Sequence, residues 1–314
     1  NTGRDANGTP VTMDFAIAKS IRIGTATFLD VPVLIHDFAD VPLAHCYLPY
    51  GLLGSELLPG SVWRINTTEA TISIAPSIEA LPKLVDTHSA PLELYGYPHA
   101  PIIPYAIGEF SDRALFDTGN SGALALFQRI ADDERVGPFI DKKTLQTGRG
   151  THGVSAGGIG DVMPITRFEL TRFSLGAHAT GRIRTQLRPV PPTLVGAGFL
   201  ASHVITLDYP NARFMMSRLA EETVPLKANN DFGLMLIDDR VEVAQLMDDS
   251  RASKSGLALG DTVVAINGRE VFTATAEAQC ATALWLSNEF KSEDVKTITV
   301  QREDDVSTFT LAAE

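Results

Sequence analysis

Cysteine is scarce in this 314-residue chain: only Cys46 and Cys280 occur, far apart in sequence. Two isolated cysteines make neither a disulfide framework nor a metal site. The seven histidines (36, 45, 88, 99, 152, 178 and 203) form no His-x-His or His-x-x-x-His pair, so scattered surface or core histidines are expected, and no metal. Long apolar runs are missing too. No stretch of about 18 apolar residues exists, which excludes a spanning helix. Lys and Arg number 26 against 38 Asp and Glu, giving a net charge of -12 and a pI near 5.0, and no Lys/Arg cluster stands out. Without a basic stripe to displace counterions, nucleic acid is not an expected partner. The polar, Gly-rich first ten residues are not a signal peptide. What remains is a chain that is 44% hydrophobic and 20% charged, the composition of a globular protein long enough for two or three units.

The chain contains an internal repeat. Leu52-Leu53-Gly54-Ser55-Glu56-Leu57-Leu58 matches Leu194-Val195-Gly196-Ala197-Gly198-Phe199-Leu200. Each continues into two strands, 62–66 and 71–74 in the first copy, 204–208 and 213–216 in the second, at a constant offset of 142. Upstream, Ile21-Arg22-Ile23-Gly24 matches Phe173-Ser174-Leu175-Gly176 at an offset of 152. Two all-β copies predict pseudo-twofold symmetry with a site between them. The second copy begins with strands at 102–107 and 113–116, then Asp117-Thr118-Gly119-Asn120-Ser121. Asp117 precedes Gly176 by 59 residues, whereas Gly24 has only 23 ahead of it, so the first copy is expected to be truncated in this numbering.

Leu115-Phe116-Asp117-Thr118-Gly119 followed by Leu194-Val195-Gly196 resembles the retropepsin and pepsin group of aspartic peptidases, over roughly residues 10–216. The resemblance implies a mainly β, two-lobed acid-protease fold with an incomplete first lobe. Two such loops would meet at the pseudo-twofold axis, each giving one carboxylate, and two close carboxylates share one proton. It implies Asp117, Thr118 and Gly119 as catalytic residues, Thr118 holding the neighbouring loop and Gly119 permitting the tight turn. Asn120 departs from the usual Ser, Thr or Ala, so Asn120 or Ser121 is expected to bond the outer carboxylate oxygen. The second Asp is expected in a segment upstream of Asn1. Residues 148–161 stand where a flap is implied, with Gly153, Ser155, Gly157 and Gly158 letting it open and close over substrate, and residues 1–9 as the remnant of its counterpart. Two decoys lie in this loop: a G-x-G-x-x-G at 148–153 and a G-x-S-x-G at 153–157. Both demand a strand before and a helix after, which the sequence does not supply.

After Lys227 the pattern changes. Ser250-Arg251-Ala252-Ser253-Lys254-Ser255-Gly256-Leu257 and Gly260-Asp261 through Ile266-Asn267-Gly268 closely resemble the α+β PDZ domains of bacterial peptidases. A helix is expected over 276–286 with Thr275 as N-cap, and a turn at Asn267-Gly268. The resemblance implies a C-terminal or internal peptide added as a strand, with Gly233, Leu234 and Met235 offering N–H groups to its carboxylate. The expected units are therefore a first lobe (1–78), a crossing segment (79–101), a second lobe (102–222) and a PDZ domain (228–314) tethered by a few residues around Ala228-Asn229-Asn230. The implied function is an endopeptidase acting on protein or peptide substrates without metal or organic cofactor, in an exported (periplasmic or extracellular) protein. The alternative is an inactive peptidase fold that binds peptides or acts as an adaptor.

Overall fold

The computed structural model describes residues 2–38, 41, 43–94, 99–219 and 231–311. The linker around 228–230 and residues 95–98 of the crossing segment lie outside the described residues. The described chain is mainly β, in several sheets, as its alternating patterns imply. In strand Ile102–Ile107, for example, Ile103, Tyr105 and Ile107 point inward and are buried, while their neighbours are half-exposed.

The repeat appears as matched elements. Hairpin Asp14–Ile23/Ala26–Ile35 turns at Gly24 (φ 59), and hairpin Val162–Leu175/His178–Arg188 turns at Gly176 (φ 54), both glycines in the left-handed region such tight turns favour. The 3-10 turn Ser55–Leu57 and strands Val62–Asn66 and Thr71–Ala75 correspond to Ala197–Ala201, His203–Asp208 and Arg213–Arg218. Asn66 Oδ1 accepts from Glu69 N (3.3 Å), and Asp208 Oδ1 from Asn211 N (3.3 Å). Next in each copy comes a left-handed alanine, Ala70 (φ 50) or Ala212 (φ 49).

Strands Val62–Asn66 and His203–Asp208 pair antiparallel, with Ile65 opposite Ile205, Arg64 opposite Thr206 and Trp63 opposite Leu207. Arg64 and Thr206 are themselves 142 apart, so the local twofold axis of the pair passes between them. The Arg64 Nε donates to Thr206 Oγ1 there (3.0 Å). The five-stranded sheet around this seam runs Thr71–Ala75, Val62–Asn66, His203–Asp208, Arg213–Arg218, Thr87–Pro91. The last strand belongs to the crossing segment, which thus adds an edge strand to the second copy.

The copies differ where Leu-Leu-Gly meets Leu-Val-Gly. Strand Thr193–Gly196 lies between Phe110–Asp117 and Leu124–Phe127, with Val195 fully buried. Leu52 and Leu53 lie in no strand and are 69% and 61% exposed. Phe15, Ile17, Leu29 and Leu34 on the first hairpin are exposed as well. The physical reason is the lack of sheet neighbours: among the described residues that hairpin pairs only with itself.

The C-terminal unit has its own core, including Phe232, Val243, Ala283 and Ile298. Its helix, Ala276–Asn288, starts as expected, with Thr275 Oγ1 accepting from Ala278 N (3.2 Å), and Asn267-Gly268 turns with φ 51 and 76. Among the ties that join it to the rest, two stand out. Strand Ile140–Thr151 pairs with strand Arg240–Met247, setting Gly148 opposite Met247 and Gly150 opposite Gln245, so one sheet runs through both units. A Cβ on either glycine would meet backbone, 2.8 Å from Met247 Cα or 2.6 Å from Gln245 Cα. The second tie corrects the cysteine reading: Cys46 and Cys280 form a disulfide (Cα–Cα 5.2 Å). Docking of the short helix Ala44–Tyr47 on Ala276–Asn288 brings them together, and Tyr47 Oη donates to Ala283 O (2.8 Å). The picture of a unit held by its linker alone is corrected with it.

Candidate functional site

Asp117 ends strand Phe110–Asp117, opposite Gly196 of the parallel strand Thr193–Gly196. The chain then loops across the end of that strand and pairs with its other side, Leu124 opposite Val195. Buried Phe116, Leu124 and Val195 anchor the crossing. The loop is fastened from beneath: Ala197 N donates to Asn120 O (2.7 Å), Gly198 N to Gly122 O (3.1 Å) and Gly196 N to Ala123 O (3.1 Å). A Cβ on Gly196 would overlap Gly122 O, which is why this position takes glycine. Asp117 Oδ1 accepts from Gly119 N (2.9 Å), and Asn120 Oδ1 accepts from Gly122 N (2.9 Å), two short side-chain-to-backbone turns in succession.

Three expected roles change here. Thr118 is exposed and makes no side-chain hydrogen bond among the described residues. Asn120 spends its side-chain oxygen on Gly122, and Ser121 is exposed on the cleft wall; neither side chain bonds the Asp117 carboxylate. The backbone amide of Gly119 takes that part, because the loop curls back on its own aspartate.

Above Asp117 opens a cleft of about 1090 Å³. Two hairpin tips roof it. One joins strands Thr2–Arg4 and Pro10–Thr12; the other is the small hairpin Val154–Ser155/Gly158–Ile159 at the end of the arms Ile140–Thr151 and Val162–Leu175. The tips touch: Ala6 N donates to Ser155 Oγ (3.2 Å), and Gly157 N donates to Asp5 Oδ2 (2.9 Å). Burial alone would push the Asp5 carboxyl up, but N–H groups from Gly157, Thr9 and Asn7 outweigh it and hold the carboxyl below its ordinary range. His36 Nε2 sits 2.9 Å from Ala156 O, a third link. Gly153, Ser155 and Gly157 line the cleft, and Gly158 is buried in the tip hairpin. The arm glycines Gly148 and Gly150 are not hinges, since each lies against the C-terminal unit's backbone. Neither decoy motif leads into a helix, and both fall within this hairpin.

No family model matches this chain, and no curated protein is significantly similar to it.

The cleft walls carry groups that the sequence reading missed. Arg184, Gln186 and Arg188 alternate along one face of strand His178–Arg188, and Arg167 lies opposite Gln186 on the neighbouring strand. Gln245, from the C-terminal unit, reaches the same wall, donating to Thr151 O (2.7 Å) and accepting from Arg167 (2.6 Å). Burial pulls the Arg188 guanidinium down from its ordinary value, while the negative charge of Asp117 acts the other way. Alternation at 184, 186 and 188 was the available signal; Gln245 had none.

Gly233, Leu234 and Met235 lie within strand Phe232–Ile237 and not in a loop ahead of it. That strand pairs with Arg240–Met247 alone among the described strands, and helix Ala276–Asn288 packs beside it. His45, Cys46 and Cys280 gather there, but with the sulfurs bonded to each other neither is a thiolate ligand. Three of the seven histidines are not scattered: His178 stacks on His88 (4.0 Å) and meets His203 edge-on (5.6 Å).

Proposed function

We propose that the protein is an aspartic endopeptidase in which Asp117 supplies one carboxylate of a catalytic pair, on a two-lobed acid-protease fold with a PDZ-type C-terminal unit. The reading rests on one observation: the Asp117-Thr118-Gly119 turn, fastened under Leu194-Val195-Gly196, lies in the floor of a cleft roofed by two hairpin tips. In that reading the charged member of the pair takes a proton from water. The protonated member donates a hydrogen bond to the peptide carbonyl, the resulting hydroxide adds to its carbon, and the tetrahedral adduct breaks its C–N bond as the proton taken from water passes to the departing amine. The partner aspartate comes from a segment ahead of Asn1, where the repeat offset puts the counterpart of residues 115–121. The exposed Leu52, Leu53, Phe15 and Ile17 are the surface such a segment would cover.

The test is peptide hydrolysis by the full-length protein. Cleavage should be fastest in acid to mildly acid solution, because a free carboxyl titrates near ~3.9 and coupling raises one member of a pair. Statine-type compounds should block it, and Asp117→Asn should abolish it while the fold persists. Full activity of that variant, or inhibition only by chelators or serine reagents, overturns the mechanism. One observation favours a second reading, a non-catalytic peptide binder. The other carboxylate lining the cleft among the described residues is Asp161, beside the roof hairpin instead of on a loop matching 115–121. A gene without Asp-Thr-Gly or Asp-Ser-Gly upstream of Asn1 would decide for that reading.

A further inference from the structure

The cleft walls hold guanidinium groups that, among the described residues, have no carboxylate in hydrogen-bond contact, although Asp117 acts on Arg188, and Glu169 and Glu293 on Arg184, from farther off. Half-buried Arg167 donates from Nε to Gln186 Oε1 (2.9 Å) and from Nη2 to Gln245 Oε1 (2.6 Å), with Nη1 3.8 Å from Met247 Sδ. All three acceptors are neutral. Arg188 donates to Pro192 O (2.7 Å) and Ala6 O (3.2 Å), neutral as well. Arg184 faces Glu169 across the strands, but that carboxylate already takes two hydrogen bonds from Arg182 (2.9 and 2.6 Å). Elsewhere the pattern is the opposite. Arg135, Arg213, Arg251 and Arg302 each meet an aspartate, in a protein whose net charge is -12. Unpaired cations partly removed from water cost free energy, which a bound anion recovers.

We propose that this cleft selects extended peptides carrying a glutamate or aspartate side chain, with Arg167 as the main receptor for the carboxylate and Arg184 beside it. The proposal rests on the peptidase reading only for the kind of ligand, an extended peptide. A guanidinium is a planar fork that matches a carboxylate, and Gln186 and Gln245 already hold the Arg167 fork in place, so less ordering remains to be done on binding. Burial, and then the charge of Arg184, bring Arg167 down to about 10, still protonated in neutral solution. Gln245 makes this receptor a joint product of the second repeat copy and the C-terminal unit.

The experiment separates binding from turnover. Fluorescent octapeptides with one central Glu, or Gln in its place, are titrated by anisotropy into the full-length Asp117→Asn protein. At pH 6.5 the Glu peptide should bind about tenfold more tightly. The preference should fade by pH 3.5, where the peptide carboxyl (ordinary pKa ~4.3) is protonated. Arg167→Gln should bring the two peptides within twofold of each other, and Arg167→Lys should retain part of the preference. Equal binding of both peptides, an undiminished preference in Arg167→Gln, or tighter binding of a single-stranded oligonucleotide than of the Glu peptide overturns the proposal. If the preference holds but the unmutated protein hydrolyses neither peptide, the peptidase reading falls and the acidic-ligand site stands.

Discussion

At the residue scale, His203 couples the central sheet to pH. It is 7% exposed, stacked on Phe199 (4.4 Å), and its Nδ1 lies 2.7 Å from Ser202 Oγ. Burial, then the neighbouring His178, brings it down to about 4; His178 is lowered too, by burial and by His88. A base with a depressed folded pKa binds fewer protons than the unfolded chain between the two values. Its stabilising contribution is therefore complete above the ordinary value of about 6.5 and is lost as pH falls toward 4. The whole shift corresponds to roughly 3 kcal/mol. Urea unfolding at pH 7.5 and 4.5 should show a loss of that order, and His203→Leu should remove much of the difference. An unchanged pH slope in that variant would assign the acid sensitivity to other groups. The loss would also narrow the acid range in which the proposed peptidase can work, since the strand carrying His203 belongs to the sheet that joins the two copies.

At the element scale, the strand Ile140–Thr151 is the part that matters most. It is one arm of the roof hairpin and also the neighbour of Arg240–Met247. Its two faces make conflicting demands, which Gly148 and Gly150 meet by having no side chain where the C-terminal strand crosses. Gly148→Val must push the strands apart, and overpacking of this kind costs about 1–3 kcal/mol. Hydrogen exchange at Leu246 and at Asp248, whose N donates to Thr147 O (2.8 Å), should speed up in that variant. Gly137→Ala, at a site with nothing within 4 Å of the added Cβ, should stay within about 0.5 kcal/mol of the parent. If exchange at Leu246 and Asp248 is unaffected, the two strands do not pair in solution.

At the scale of the whole molecule, the C-terminal unit is a wall of the cleft and not a tethered accessory. Removing residues 231–311 would strip Gln245 from Arg167 and Thr151, so hydrolysis of short peptides should fall along with that of proteins. The disulfide fastens the same unit from its other side, across 234 residues of chain. Cross-links closing long loops contribute about 2–4 kcal/mol. Thermal unfolding should therefore shift downward in reductant, and Cys46→Ser should reproduce the shift without it. A thiol titration of the unfolded, unreduced protein should find no free cysteine; two free thiols would refute the bridge.

What the sequence determined by itself is whatever depends on a few neighbouring residues. The Gly24 and Gly176 turns, the side-chain turns at Asn66 and Asp208, the Thr275 cap and the Asn267-Gly268 turn are each set within about four positions, so type and place were legible. The 142-residue spacing also carried the twofold relation, because equal sequences make equal strands. Tertiary structure alone decided which surfaces dock. Cys46 finds Cys280 only because two helices pack together. Arg167 finds Gln245 only because two strands share an edge, and the Leu52-Leu53-Gly54 copy stays out of any sheet while its twin is buried between two strands. Each of these outcomes depends on partners tens to hundreds of residues away, chosen by complementary surfaces that leave no local mark on the chain.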